Sequence, residues 1–191
     1  MPYDIQPAVA EHGGHNILMR GLYDATVPYT VGDLVFRNND GQIEGFPADT
    51  TQAILADMDS GRVCGVAASP GVDPSTGTAL INPRTGAAYV ADDEVLFWPA
   101  DHGIIFKTDI VITAGGTGVS VPAGSIVGES FQLTFDTLAT RAGWGVELTA
   151  GVQGTDVCAI VHAVLDSRGR PISSTDTTTG VWVLFEIKTN A

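Results

Sequence analysis

The chain is 191 residues long, enough for one domain with a sizeable core, and 44% of it is apolar before glycine is counted. Charged residues make up only 16%, against about 25% in ordinary soluble domains. The balance of 22 acidic to 9 basic residues, net −13, excludes a binder of nucleic acid or of anionic membrane, because both need Lys and Arg to replace counterions.

Residues 1–28 hold Pro2, Pro7, Pro28, Gly13, Gly14 and Gly21 and sustain neither a helical nor a strand period. They read as an extended N-terminal arm that needs a docking partner to become ordered. An ordinary first strand near Ile17–Leu22 is compatible with that reading. The arm's apolar residues, Ile17, Leu18, Met19, Leu22 and Tyr23, are the candidate partner-binding residues. Met1–Asn16 has no basic and no apolar region of the secretory type, so no signal is expected.

Residues 29–191 read as a β-rich domain, with a subdivision allowed near a loop at 69–87. In Thr30–Gly45, the run Leu34-Val35-Phe36 is followed by Asn38-Asn39-Asp40-Gly41 and then Ile43. Asn, Asp and Gly tolerate the positive φ of tight turns, so this is strand, turn, strand. Asp49–Asp59 is the one short helical candidate, with Ile54, Leu55 and Met58 on one side. Pro70, Gly71, Pro74, Gly77, Pro83 and Gly86 punctuate the 69–87 loop.

Strands are expected at Ala88–Val90, Val95–Trp98, Ile104–Ile112, Val119–Val121, Ser125–Val127, Phe131–Phe135, Val146–Leu148, Cys158–Leu165 and Val181–Ile187. Phe131, Leu133 and Phe135 alternate with Gln132 and Thr134, the period of a half-buried strand. Asp166-Ser167-Arg168-Gly169 is a second hairpin-type turn. The uncharged span Ile110–Gly128 carries Gly115, Gly116, Gly118, Pro122 and Gly124, and reads as two short strands rather than a membrane helix. Many short strands with Gly-rich turns define the fold class: all-β, with at most one short helix, as a β-sandwich or β-barrel.

Chemistry-bearing patterns are sparse. Setting Gly41 at the glycine of a helix-loop-helix calcium loop puts Phe36 and Pro47 at ligand positions, which neither can fill. Asp59-Ser60-Gly61 has one copy, where aspartic-protease chemistry needs two carboxylates. Asp92-Asp93-Glu94 suits a charged turn; a divalent-dependent hydrolase built on it is the remotest reading. His12, His15, His102 and His162 share no ligand spacing. Gly115-Gly116-Thr117-Gly118 lacks the lysine of a phosphate loop, and no Gly-x-Ser-x-Gly is present. Cys64 and Cys158 read as buried, inert thiols. No catalytic residue, metal or cofactor is expected, and the chain reads as a non-enzyme. Trp98, Trp144, Trp182 and the 69–87 loop leave one alternative: a glycan- or receptor-binding module of a tail fibre or surface appendage.

Gly32-Asp33-Leu34-Val35, the Asn38–Gly41 turn and Cys64-Gly65-Val66-Ala67-Ala68 resemble the opening of small β-rich bacteriophage capsid decoration (cement) proteins. Ile160–Ile187, with its turn at Asp166–Pro171 and the run Val181–Ile187, resembles their closing hairpin. The resemblance covers residues 29–68 and 95–187, while the arm and the 69–87 loop are longer than the family pattern. It implies a virion structural protein made in the host cytoplasm and placed on the outer surface of the capsid. There it would bridge and stabilise subunits of the major capsid protein. It also implies self-association, with a trimer expected at three-fold lattice points.

Overall fold

The computed structural model describes residues 5–10, 17–45, 63–69, 78–100, 103–109, 111–113, 116–117, 126–136, 143–148, 157–166, 168–172 and 182–189. Among the described residues there is no helix, and the fold is all-β as expected. The strands are β1 (Gln6–Ala10), β2 (Met19–Leu22), β3 (Leu34–Arg37), β4 (Ile43–Gly45), β5 (Val63–Ala67), β6 (Glu94–Pro99), β7 (Ile104–Thr108), β8 (Val111–Thr113), β9 (Gly116–Thr117), β10 (Ser130–Asp136), β11 (Gly143–Glu147), β12 (Val157–Leu165) and β13 (Trp182–Thr189). They form an eight-stranded sheet, β1-β7-β13-β12-β10-β11-β8-β9, and a five-stranded sheet, β2-β6-β5-β3-β4. Pairing between named strands is antiparallel except between β8 and β11.

The two sheets pack as a sandwich-like pair around a shared core. Leu34, Val63 and Val66 of the small sheet cluster with Phe106, Leu133, Val146, Val161, Phe185 and Ile187 of the large one. Strand periodicity explains the division of side chains. In β13, Val183, Phe185 and Ile187 are fully buried, while Trp182 and Leu184, on the other face, are half-buried. In β3, Leu34 enters the shared core and Val35 turns to a second cluster on the small sheet's opposite face. That cluster joins Tyr23, Tyr29, Val35, Ile43, Ala67, Tyr89, Val95 and Phe97.

The two halves of the opening motif meet in space. The Asp33 carboxylate accepts the Thr30 backbone N–H at 2.7 Å, closing the turn into β3. Gly32 N–H donates to the Ala67 carbonyl at 3.0 Å, and Ala67 N–H donates to the Asp33 carbonyl at 2.8 Å. β5 passes β6 so closely that a Cβ on Gly65 would collide with the Trp98 carbonyl. Only glycine fits there.

Both expected turns are present. Asn38 Oδ1 accepts N–H groups from Asp40 (3.0 Å) and Gln42 (2.9 Å), which fixes the β3–β4 hairpin. Asp166 Oδ1 accepts from Arg168 (2.8 Å) and Arg170 (2.9 Å) in the later turn.

Several expected boundaries are corrected. The run Ile104–Ile112 is two strands, β7 and β8, which bend apart at Asp109 and lie far from each other in the sheet. Ala88–Val90 is not a strand; Ala88 makes a single bridge to Ile81 across a turn organised by Asn82. Ile126–Gly128 is a turn rather than a strand. The helical candidate Asp49–Asp59 and the strand expected at Val119–Val121 lie outside the described residues, as does 70–77 of the long loop.

The segment expected as an arm supplies an edge strand to each sheet. Ile5 is fully buried in the shared core, and β1 lies along β7. Pro7 is accommodated in β1 because an edge strand does not need every N–H. β2 lies along β6 at the edge of the small sheet.

Candidate functional site

β2 pairs Met19 with Phe97, Arg20 with Leu96, Gly21 with Val95 and Leu22 with Glu94. Facing residues share a side of the sheet, so Met19 and Gly21 lie on the inner face with Val95 and Phe97. Arg20 and Leu22 lie on the outer face with Glu94 and Leu96. The small sheet curls until its two edges meet. Tyr23 forms a parallel bridge to Ile43, and Asp24 N–H donates to the Ile43 carbonyl at 2.9 Å. A Cβ on Gly21 would fall within the Ile43 side chain, so the absence of one lets β2 approach β4.

This geometry separates the five candidate residues. Tyr23 is internal: it is 2% exposed and meets Tyr29 (5.4 Å between ring centres) and Tyr89 (6.2 Å) edge to face. Burial, then the neighbouring Asp24, pushes its phenol pKa up. Ile17, Leu18, Met19 and Leu22 are 52%, 47%, 39% and 49% exposed. They form an apolar stripe along the sheet edge itself, leading into and along β2, with Met19 on the inner face and Leu22 on the outer.

The surroundings of the stripe come from a distant part of the chain. Ile81 and Val90 are exposed on the 78–92 loop. That loop is tied to β2 through Glu94, whose Oε1 lies 3.2 Å from both Arg20 and Arg84. Tyr23 N–H donates to the Asp93 carbonyl at 2.8 Å, and Asp92 N–H donates to the Tyr23 carbonyl at 2.9 Å. No local sequence pattern pointed to Arg20, Arg84, Ile81 or Val90, because their association depends on the β2–β6 pairing.

The carboxylates beside the stripe are engaged by the chain's own donors. Asp24 takes the Thr26 N–H at 2.8 Å and the Asn38 side chain at 2.6 Å. The Thr26 bonds, more than that of Asn38, hold its pKa below the usual carboxylate range. Asp93 accepts from Val90 N–H at 3.0 Å, and this bond, followed by one from Asn82, holds its pKa down as well. Asp92 accepts from Gln42 Nε2 at 2.7 Å. The Asp92–Glu94 run is therefore a structured turn and strand start. Among the described residues no group of three His, Cys, Asp or Glu is placed to hold a metal ion.

The other candidates are scattered. Trp144 is buried in the shared core, Trp98 is half-buried against it, and Trp182 is half-buried on β13 with the Lys107 ammonium 5.2 Å from its ring centre. His162 sits at a bulge in β12, with Nε2 3.7 Å from Glu186; the other Glu186 oxygen accepts from Lys188. The Cys64 thiol contacts the Val35 carbonyl, and burial pushes its pKa up to about 12, which suits an inert thiol. The Cys158 side chain, His12, His15, His102 and Asp59–Gly61 lie outside the described residues. No helix among the described residues is long and apolar enough to cross a membrane. Comparison with known protein families, with curated proteins and with solved structures found no match to the chain.

The arrangement offers apolar area beside exposed guanidinium donors.

Proposed function

We propose that this chain is a non-enzymatic virion protein that binds the outside of a phage capsid and stabilises it by bridging subunits of the major capsid protein. The observation that carries the reading is the exposed stripe Ile17, Leu18, Met19 and Leu22 on an edge strand, set in an all-β sandwich. The resemblance of Gly32–Val35 and Cys64–Ala68 to the opening of cement proteins supports it. Those two motifs are bonded to each other around β3 and β5.

The magnitudes favour many weak contacts over one tight one. Fully burying an apolar side chain contributes roughly 1.5–3 kcal/mol. Four side chains already half-covered therefore offer roughly 3–6 kcal/mol, against an association cost of about 4–15 kcal/mol. One stripe alone binds weakly. A trimer presenting three stripes to neighbouring subunits gains avidity without any new contact. In this reading the protein self-associates and holds by multivalent bridging.

The test is co-sedimentation of the purified chain with shells of its own virus that lack it. Saturable binding to assembled shells, and none to unassembled capsid subunits, is the expected result. Absence of binding to shells would overturn the proposal.

A further inference from the structure

We infer that the β2 edge takes a segment of the major capsid protein that sets apolar side chains against the stripe and a lysine or arginine against the acidic seam beside Leu22. This rests on the capsid reading above.

The stripe has a polarity. Its Leu22 end runs into the seam where β2 meets β4, and carboxylates gather there. Glu94 faces Leu22 across the β2–β6 ladder. Asp93 and Asp92 come next, each bonded through its backbone to Tyr23. The β3–β4 hairpin draws in two of the acids, because Asn38 donates to Asp24 at 2.6 Å and Gln42 to Asp92 at 2.7 Å. Glu44 of β4 lies within the same field: burial, and next the negative Asp24, push its carboxyl pKa up.

The cations present do not cancel this charge. Arg20 and Arg84 both pair with Glu94. Arg37 donates across the hairpin to the Gly41 carbonyl. The donors bound to Asp24, Asp92 and Asp93 are Thr26, Asn38, Gln42 and Val90, all neutral, so these carboxylates keep their negative charge. Five carboxylates, Asp24, Glu44, Asp92, Asp93 and Glu94, thus stand against three guanidinium groups, Arg20, Arg37 and Arg84.

The whole chain repeats the sign, at −13. A second copy offering the same edge would set acidic seam against acidic seam, because an isologous contact brings each patch onto itself. A cationic partner is attracted by both the seam and the whole molecule. Lysine and arginine also suit the boundary: an aliphatic stem can lie on the exposed Leu22 and Val90 while the charged head reaches the carboxylates.

The experiment is co-sedimentation of full-length variants with shells lacking the protein, at low and at high salt. Folding is checked by circular dichroism and melting. Wild-type binding should weaken as salt rises. Asp92→Asn with Asp93→Asn keeps a carbonyl oxygen for the Gln42 and Val90 bonds. It should weaken binding about threefold to tenfold at low salt and flatten the salt dependence. Arg20→Gln with Arg84→Gln makes the edge more acidic and should strengthen binding at low salt. Leu22→Ser should weaken binding about tenfold at either salt. Val127→Ser, at an exposed apolar residue in the separate 126–128 turn, should bind as wild type does. If the double aspartate variant upsets folding, Asp92→Asn alone carries the test. Folded aspartate variants that bind like a binding wild type, or arginine variants that bind more weakly, would overturn this inference and leave the capsid reading standing. So would wild-type binding that salt leaves unchanged. A wild type that does not bind shells would remove both.

Discussion

Replacing Gly21 with alanine should destabilise the fold, although alanine in a strand normally does the opposite. The Gly21 backbone does not adopt a positive φ, so alanine is conformationally allowed there. At such a position Gly→Ala ordinarily stabilises by about 0.4–1 kcal/mol, by narrowing the unfolded ensemble. Here the new Cβ would fall within the side chain of Ile43, which is fully buried in the tyrosine-rich cluster. Either Ile43 leaves its rotamer or β2 moves off β4 and breaks the Tyr23–Ile43 bridge. Overpacking of this kind costs roughly 1–3 kcal/mol, which outweighs the entropic gain. The melting temperature should fall by about 2–4 °C for each kcal/mol. Urea unfolding of Gly21→Ala, Ile43→Ala and the double variant forms the assay. Ile43→Ala alone should cost about 2–5 kcal/mol, and the double variant should cost less than the sum by at least about 1 kcal/mol, because alanine at 43 removes the obstructing atoms. A Gly21→Ala variant as stable as wild type, or strict additivity in the cycle, would refute the account of how the small sheet closes.

The Tyr29 hydroxyl is buried without a hydrogen-bond partner. Tyr29→Phe should therefore be neutral or raise stability by up to about 1–2 kcal/mol in urea unfolding, where loss of a made bond would lower it. Asn38 holds the β3–β4 turn and binds Asp24. Asn38→Ala should cost about 1–3 kcal/mol, and a change under about 0.5 would show the turn does not depend on it. Asp24, Asp93 and Asp166 all have pKa values lowered from 3.8, chiefly by hydrogen bonds from Thr26, Val90 and the Arg170 backbone respectively. Groups depressed in the folded state add stability that is present above their unfolded pKa and lost as pH falls through the folded one. Carboxyl NMR titrations should place all three midpoints below 3.8, and a midpoint at or above it would contradict the turn geometry.

What was legible in the sequence was local. Asn38-Asn39-Asp40-Gly41 announced its hairpin through turn chemistry, and the runs Cys158–Leu165 and Val181–Ile187 announced the two most extensively paired strands, observed as Val157–Leu165 and Trp182–Thr189. Strand breaks were harder, because only Lys107, Thr108 and Asp109 separate two apolar runs, and the first two of them still belong to β7. The fate of residues 5–22 depended on partners about ninety residues away. β1 finds β7 and β2 finds β6, and no periodicity within the segment encodes either pairing. The candidate site was half-legible for the same reason. Apolar character singled out Ile17, Leu18, Met19, Leu22 and Tyr23 together, but only the closure at Ile43 distinguishes the buried Tyr23 from the four exposed residues. The convergence of Arg20 and Arg84 on Glu94 is a product of tertiary structure alone.

The claim that this chain cements a capsid is tested most directly by heating particles that carry it beside particles that lack it. A protein that binds only the assembled shell stabilises that shell by mass action, by about 2.7 kcal/mol per site at a free concentration of one hundred times Kd. Calorimetry should show decorated particles disrupting at a higher temperature, with the shift growing as purified protein is added back. Equal disruption temperatures at full occupancy would contradict the cementing role.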